Sequence, residues 1–199
     1  PTQMTDLLHR GILDGYCAGE PWNTLAEERG CGKVVIATTE LAPDHPEKAL
    51  VVTRKWQAQN PGNAERLVRA TLRGCAFCDD PVNRSRLTEI LAGPRYLALP
   101  ERIIARSLSI DEWLHPGAAR PRFRTFASSV LAPTVERIVW IVERMMRWGD
   151  LPADTDVPRL AGVCVDLQTF DRAAGALRPG KNHPAPVARA STYMEGSLI

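Results

Sequence analysis

Three groups of residues in this chain combine types and spacing suited to chemistry. The stretch GYCAGEPWN, Gly15 to Asn23, sets a glycine, an acid, a proline and a tryptophan directly after a short apolar run. If that run is a strand ending at Ala18 and Pro21 opens a helix, Gly19 allows close approach of a ligand to the backbone. The free N–H groups of Gly19, Glu20 and Trp22 would then join the positive end of the helix dipole in an anion site. The same residues also make a tight turn, with Glu20 as a cap and Trp22 as core, and Glu20 could alternatively receive a cation or an amine. The pair Cys75 and Cys78, in CAFC, invites redox or zinc chemistry. It falls near the end of an expected helix rather than at a strand-to-helix junction, and no second ligand pair follows at zinc-finger spacing. Both thiols read as small hydrophobes, Cys75 substantially buried, and neither a metal nor a cofactor is expected. Cys17 and His45 lie on different elements with no orienting third group, so no catalytic residue is assigned.

The elements that must position these residues follow from periodicity. Met4, Leu7 and Leu8 share one face of a helix over Gln3 to Arg10, stopped by Gly11. A strand is expected over Ile12 to Ala18, then a helix from Pro21 to a stop at Gly30. The β-branched runs Lys33 to Thr39 and Lys48 to Trp56 have the character of buried strands. Helix, strand, helix, strand is the order of a parallel α/β sheet. After Trp56 the chain turns helical. Asn63 caps a helix to about Cys78, with Ala64, Leu67, Val68, Thr71, Leu72 and Cys75 as its buried stripe. Further helices are expected from Pro81 to Gly93, from Pro100 through Leu108, from Pro133 to Trp148 and from near Asp166.

Composition narrows the function class. With 199 residues, 44% hydrophobic and 24% charged, the chain suits one large or two small domains, and it has no apolar run of membrane-spanning length. A net charge of +2, with local basic clusters at Arg120 to Arg124 and Arg178 to Arg189, does not point to a direct nucleic-acid partner. Five irregularly spaced cysteines argue against a disulfide framework and lean toward a reducing compartment. The opening PTQMTDLLHRG has neither an initiator Met nor a signal peptide, and it reads as the start of a fragment.

In order and spacing, GILDGYCAGEPWN, HPEKALVVTRKW, the stretch from NPGNAERLV to ALPERII, and VWIVERMMRWGDL resemble the nitrate-binding family. That family comprises the substrate-binding components of nitrate, nitrite and bicarbonate ABC transporters and a related cytoplasmic nitrate sensor. The resemblance covers roughly residues 1 to 178 and corresponds to the C-terminal half of a family member. It implies an α/β fold that is part of a type II periplasmic-binding-protein-like, two-lobed architecture with a mainly helical C-terminal half. Residues 1–56 would be the α/β portion carrying the ligand corner and crossover strands, residues 57–178 the mainly helical portion, and residues 179–199 a flexible tail.

The resemblance further implies a ligand site receiving a backbone contact from Gly19 and a cation from Lys48, the last residue of HPEK, with Glu20 and Trp22 completing the corner. A lysine there suits a monovalent oxyanion, nitrate or nitrite, because a point charge pairs with delocalised oxygens without bidentate geometry. Relatives that bind bicarbonate are similar but acidic at that position. The chain departs from the family pattern at SSVLAP, where an aromatic NFPW-like stretch is usual, and at Leu41 to Asp44, which replaces a tryptophan. The implied partners are the missing N-terminal lobe of the same protein and a membrane permease, with the protein periplasmic or anchored on the outer membrane face. The alternative is a cytoplasmic sensor acting on an RNA-binding antiterminator, and the out-of-class alternative is a small-molecule enzyme. A half of a two-lobed protein is also expected to expose an apolar surface.

Overall fold

The structure is a computed structural model that describes residues 2–42, 45–110 and 131–177. The expected tail, both basic clusters and the first half of SSVLAP lie outside these residues. Ten α-helices and one 3-10 turn, Pro81–Asn83, are formed among the described residues: α1 (Thr2–His9), α2 (Trp22–Glu28), α3 (Thr38–Leu41), α4 (Arg54–Gln59), α5 (Pro61–Asp79), α6 (Arg84–Ala92), α7 (Glu101–Leu108), α8 (Val135–Trp148), α9 (Val157–Cys164) and α10 (Leu167–Gly175). They fall into two units, one drawn from Pro1–Glu47 and Phe77–Phe126, the other from Lys48–Ala76 and Ala127–Ile199.

In the first unit, α1 packs on α2, α2 on α7 and α7 on α6. Thr5 of α1 and Thr24 of α2 are fully buried, as are Ile103 and Ile104 of α7, and Leu87 of α6 is buried beside them in the same unit. Gly32 permits the approach of α1, because a Cβ there would lie 2.9 Å from Leu8 Cδ2. The α2–α7 contact carries charge at its margin. Arg106 Nη2 donates to Glu27 Oε2 at 3.0 Å and Nη1 to Glu28 Oε1 at 2.7 Å. In the second unit α8 packs on α9, burying Val142 and Ala161. Asp156 caps α9 by accepting from Arg159 N at 3.1 Å, and Asp166 caps α10 by accepting from Thr169 N at 2.9 Å. Gln57 of α4 also donates to Asp166, and Arg54 Nη2 donates to Val163 O at 2.9 Å. Gly149 ends α8 in the left-handed conformation, φ 81°, which an L side chain would strain.

The expected parallel sheet is not formed: among the described residues there is no β-ladder. Ile12 to Ala18, Lys33 to Ala37 and Lys48 to Thr53 run unpaired between helices. A β-branched run has no intrinsic strand stability. It needs a neighbour to take its backbone hydrogen bonds and cover its side chains. The cost of lacking one is visible in Val35 and Val51, 85% and 80% exposed. The ends of both runs turn helical instead, as α3 and α4. Thr53 caps α4, its hydroxyl accepting from Trp56 N at 3.2 Å. Helix α9, opened by Asp156 and Pro158, was not expected from the sequence. Pro21 precedes α2 rather than opening it, and α5 starts at Pro61, ahead of the Asn63 cap. The stripe of α5 is less covered than its pattern implies: Ala64 is buried, Leu72 and Cys75 are half-buried, and Leu67 is exposed.

Candidate functional site

The corner after Ala18 is held by a compact set of hydrogen bonds. Tyr16 Oη donates to Trp22 O at 2.8 Å and lies 3.3 Å from the buried hydroxyl of Thr5. Asn23 Nδ2 donates to Ala18 O at 2.7 Å, and Trp22 N to Gly19 O at 3.4 Å. The Thr24 hydroxyl donates to Glu20 Oε2 at 2.6 Å, and Thr24 N reaches the same oxygen at 3.3 Å. Glu20 Oε1 is buried without a partner among the described residues.

This geometry revises how the corner would bind an anion. The start of α2, a helix of only seven residues, already holds the Glu20 carboxylate against its backbone, so the dipole end is filled from within. The Trp22 N–H is engaged by Gly19 O. Of the three expected backbone donors, the N–H groups of Gly19 and Glu20 remain without an acceptor among the described residues. Gly19 is exposed, its φ is not left-handed, and a Cβ built on it would meet only Glu47 Oε1, at 3.9 Å. Nothing in the described fold therefore requires glycine at this position. Glu47 places a carboxylate on one flank of the corner, a feature of HPEK that the sequence reading passed over, as it did Tyr16 and Asn23.

Gly19, Glu20 and Trp22 are thus brought together in the first unit, while Lys48 is exposed and is the first residue of the second unit. Cys75 and Cys78 lie on one turn of α5, both half-buried and neither in a disulfide. No cluster of three or more metal-ligating side chains is found among the described residues. No helix among them is long and apolar enough to cross a membrane.

Residues 1–92 match the model of the NMT1-like family. The chain is 36% identical over 152 residues to the bicarbonate transport ATP-binding protein CmpC of Synechococcus elongatus, a match covering 76% of this chain and 22% of that protein. It is 29% identical over 201 residues to the nitrate/nitrite binding protein NrtA of the same organism, covering 98% of this chain and 45% of that one. The crystal structure of the periplasmic nitrate-binding protein NrtA from Synechocystis superposes with a TM-score of 0.77 at 26% identity, over 89% of this chain and 47% of that chain. The chain is a homologue of nitrate-binding and bicarbonate-transport proteins. It spans less than half the length of each of these relatives. The fold described above accordingly matches a portion of the periplasmic nitrate-binding protein NrtA, and the relatives are named as transport and binding proteins.

Proposed function

We propose that this chain is part of a solute-binding protein that captures a small oxyanion, nitrate or nitrite, for an ABC transporter, without converting it. The observation that carries the reading is the exposed Gly19 corner, where a backbone N–H without an acceptor among the described residues stands at a glycine the described fold does not need. Gly19 would supply a backbone donor and Lys48 the positive charge, with Glu20 and Trp22 shaping the corner. The relatives support it, since NrtA is a nitrate/nitrite binding protein and CmpC a bicarbonate transport protein.

The unpaired runs Lys33 to Ala37 and Lys48 to Thr53 fit the same reading. Their exposed valines suit strands completed by the remaining part of a two-lobed, α/β binding protein, whose other lobe would bring further ligand contacts. The partner of the whole would be a membrane permease, and its place the periplasm or the outer membrane face. One observation favours a second ligand: the Glu47 carboxylate beside Gly19 can accept a hydrogen bond from the proton of bicarbonate, which nitrate lacks.

Calorimetric titration of nitrate, nitrite and bicarbonate into the complete protein, at matched ionic strength, tests the reading. A charge-assisted contact contributes roughly 1.5–3 kcal/mol and its replacement by a like charge costs more, so Lys48→Glu should weaken nitrate binding at least about a hundredfold. Circular dichroism provides the folding control. Nitrate affinity unchanged within about threefold would make Lys48 a surface charge, and tighter binding of bicarbonate than of nitrate would favour the second ligand.

A further inference from the structure

The peptide between Ala18 and Gly19 carries two groups of opposite direction. The bond is trans, so its carbonyl, Ala18 C=O, and its N–H, that of Gly19, point to opposite sides of the backbone. Whatever holds the one aims the other. Asn23 Nδ2 holds the carbonyl at 2.7 Å, from the first turn of α2. The Gly19 N–H is thereby turned away from α2 and finds no acceptor among the described residues.

We propose that Asn23 is a positioning residue that aims the Gly19 N–H at the oxyanion; this rests on the reading of Gly19 as a ligand contact. Glycine is the residue least able to fix its own backbone direction, so a donor placed on it needs an external hold. A hold made before the ligand arrives removes an ordering cost from binding. The second strap across the corner, Tyr16 Oη to Trp22 O, grips a different peptide and leaves the Ala18–Gly19 plane free to turn. The two straps therefore differ in function although both stabilise the same turn, and Tyr16 serves as a control that Asn23 must outperform.

The experiment uses the complete protein, with the backbone amide of Gly19 followed by NMR during a sodium nitrate titration and affinities measured by calorimetry. In the wild type the Gly19 proton should move downfield with the calorimetric Kd. Asn23→Asp, which replaces the donor by a second acceptor, and Asn23→Ala should each weaken nitrate binding about tenfold or more and shrink the Gly19 shift. Tyr16→Phe should lower the Tm yet leave the nitrate Kd within about threefold. Asn23 variants that bind within threefold of wild type, while Gly19 still responds, would overturn the positioning role alone. Equal losses from Tyr16→Phe and Asn23→Ala would do the same, by making both straps mere supports of the turn. A Gly19 amide unmoved by nitrate in the wild type would instead remove the site reading on which the role depends. Should the Asn23 variants fail to fold, the wild-type Nδ2 protons decide: the role requires them to be hydrogen-bonded and to shift with nitrate, and free-amide values throughout would refute it.

Discussion

Substitution of Gly19 by alanine separates what the fold needs from what a ligand needs. The backbone at Gly19 is not in the left-handed region, and an added Cβ meets its first neighbour, Glu47 Oε1, at an ordinary contact distance of 3.9 Å. No strain is introduced, while the unfolded chain loses some of its freedom. A compatible glycine-to-alanine change of this kind stabilises by about 0.4–1 kcal/mol. For a unit of roughly 150–250 residues 1 kcal/mol corresponds to a rise of about 2–4 °C in Tm, and less for a larger cooperative unit. Binding should move the other way. A methyl group on the atom next to the donor narrows the approach of an oxyanion to the N–H and pushes it toward Thr24 or Glu47, which should cost about tenfold in affinity, or roughly 1.4 kcal/mol. Thermal denaturation and nitrate calorimetry on the same preparation give both numbers. A fall in Tm of several degrees would show that the fold itself needs this glycine. Unchanged nitrate affinity alongside the rise in Tm would show that no ligand approaches it.

Two further outcomes follow from the packing of each unit. Arg106→Ala removes the contacts to Glu27 and Glu28, leaving Glu28 with Arg102 at 3.8 Å and Glu27 with the Val34 N–H. The pairs are partly exposed, so a loss of about 1–2 kcal/mol is expected in denaturant unfolding, shrinking at high salt. Asp166 is held below its ordinary carboxylate pKa by the hydrogen bonds from Thr169, with Gln57 and Arg172 assisting. A depressed folded pKa means that this stabilisation is complete above the unfolded value, near pH 4, and fades as pH falls through the lower folded value. Asp166→Asn should flatten that acid limb in pH-dependent unfolding curves, and Asp166→Ala should cost about 1 kcal/mol through the lost cap.

What the sequence disclosed was local. Helices α1, α2, α5, α6, α7, α8 and α10 are written in apolar periodicity and in stop residues such as Gly149, which act within a turn or two of themselves. The strands were misjudged for the opposite reason. A run such as KVVIATT records a preference for a pleated, half-covered surface, but pairing depends on a partner far away in sequence, and no described residue provides one. Helices α3 and α4 grew from the ends of those runs, where Glu40 accepts from Ala37 N at 3.1 Å and Thr53 caps. At the candidate site, GEPWN does form a corner ahead of a helix, yet its expected donor inventory was too generous. That Glu20 would fold back on Thr24, and that Asn23 would reach five residues back to Ala18, depends on side-chain directions that spacing alone does not encode.

The inward turn of Glu20 has a consequence for the ions a cell contains in excess. A bare helix start is indiscriminate: chloride, sulfate and phosphate all find the same row of backbone donors attractive. Here the chain's own carboxylate takes the Thr24 N–H of that row and is held there by the buried threonine hydroxyl. An abundant anion approaching the helix start meets a like charge. On the proposed reading, recognition would pass from the helix start to the outward Gly19 N–H, whose direction Asn23 fixes beforehand, with Lys48 supplying the charge.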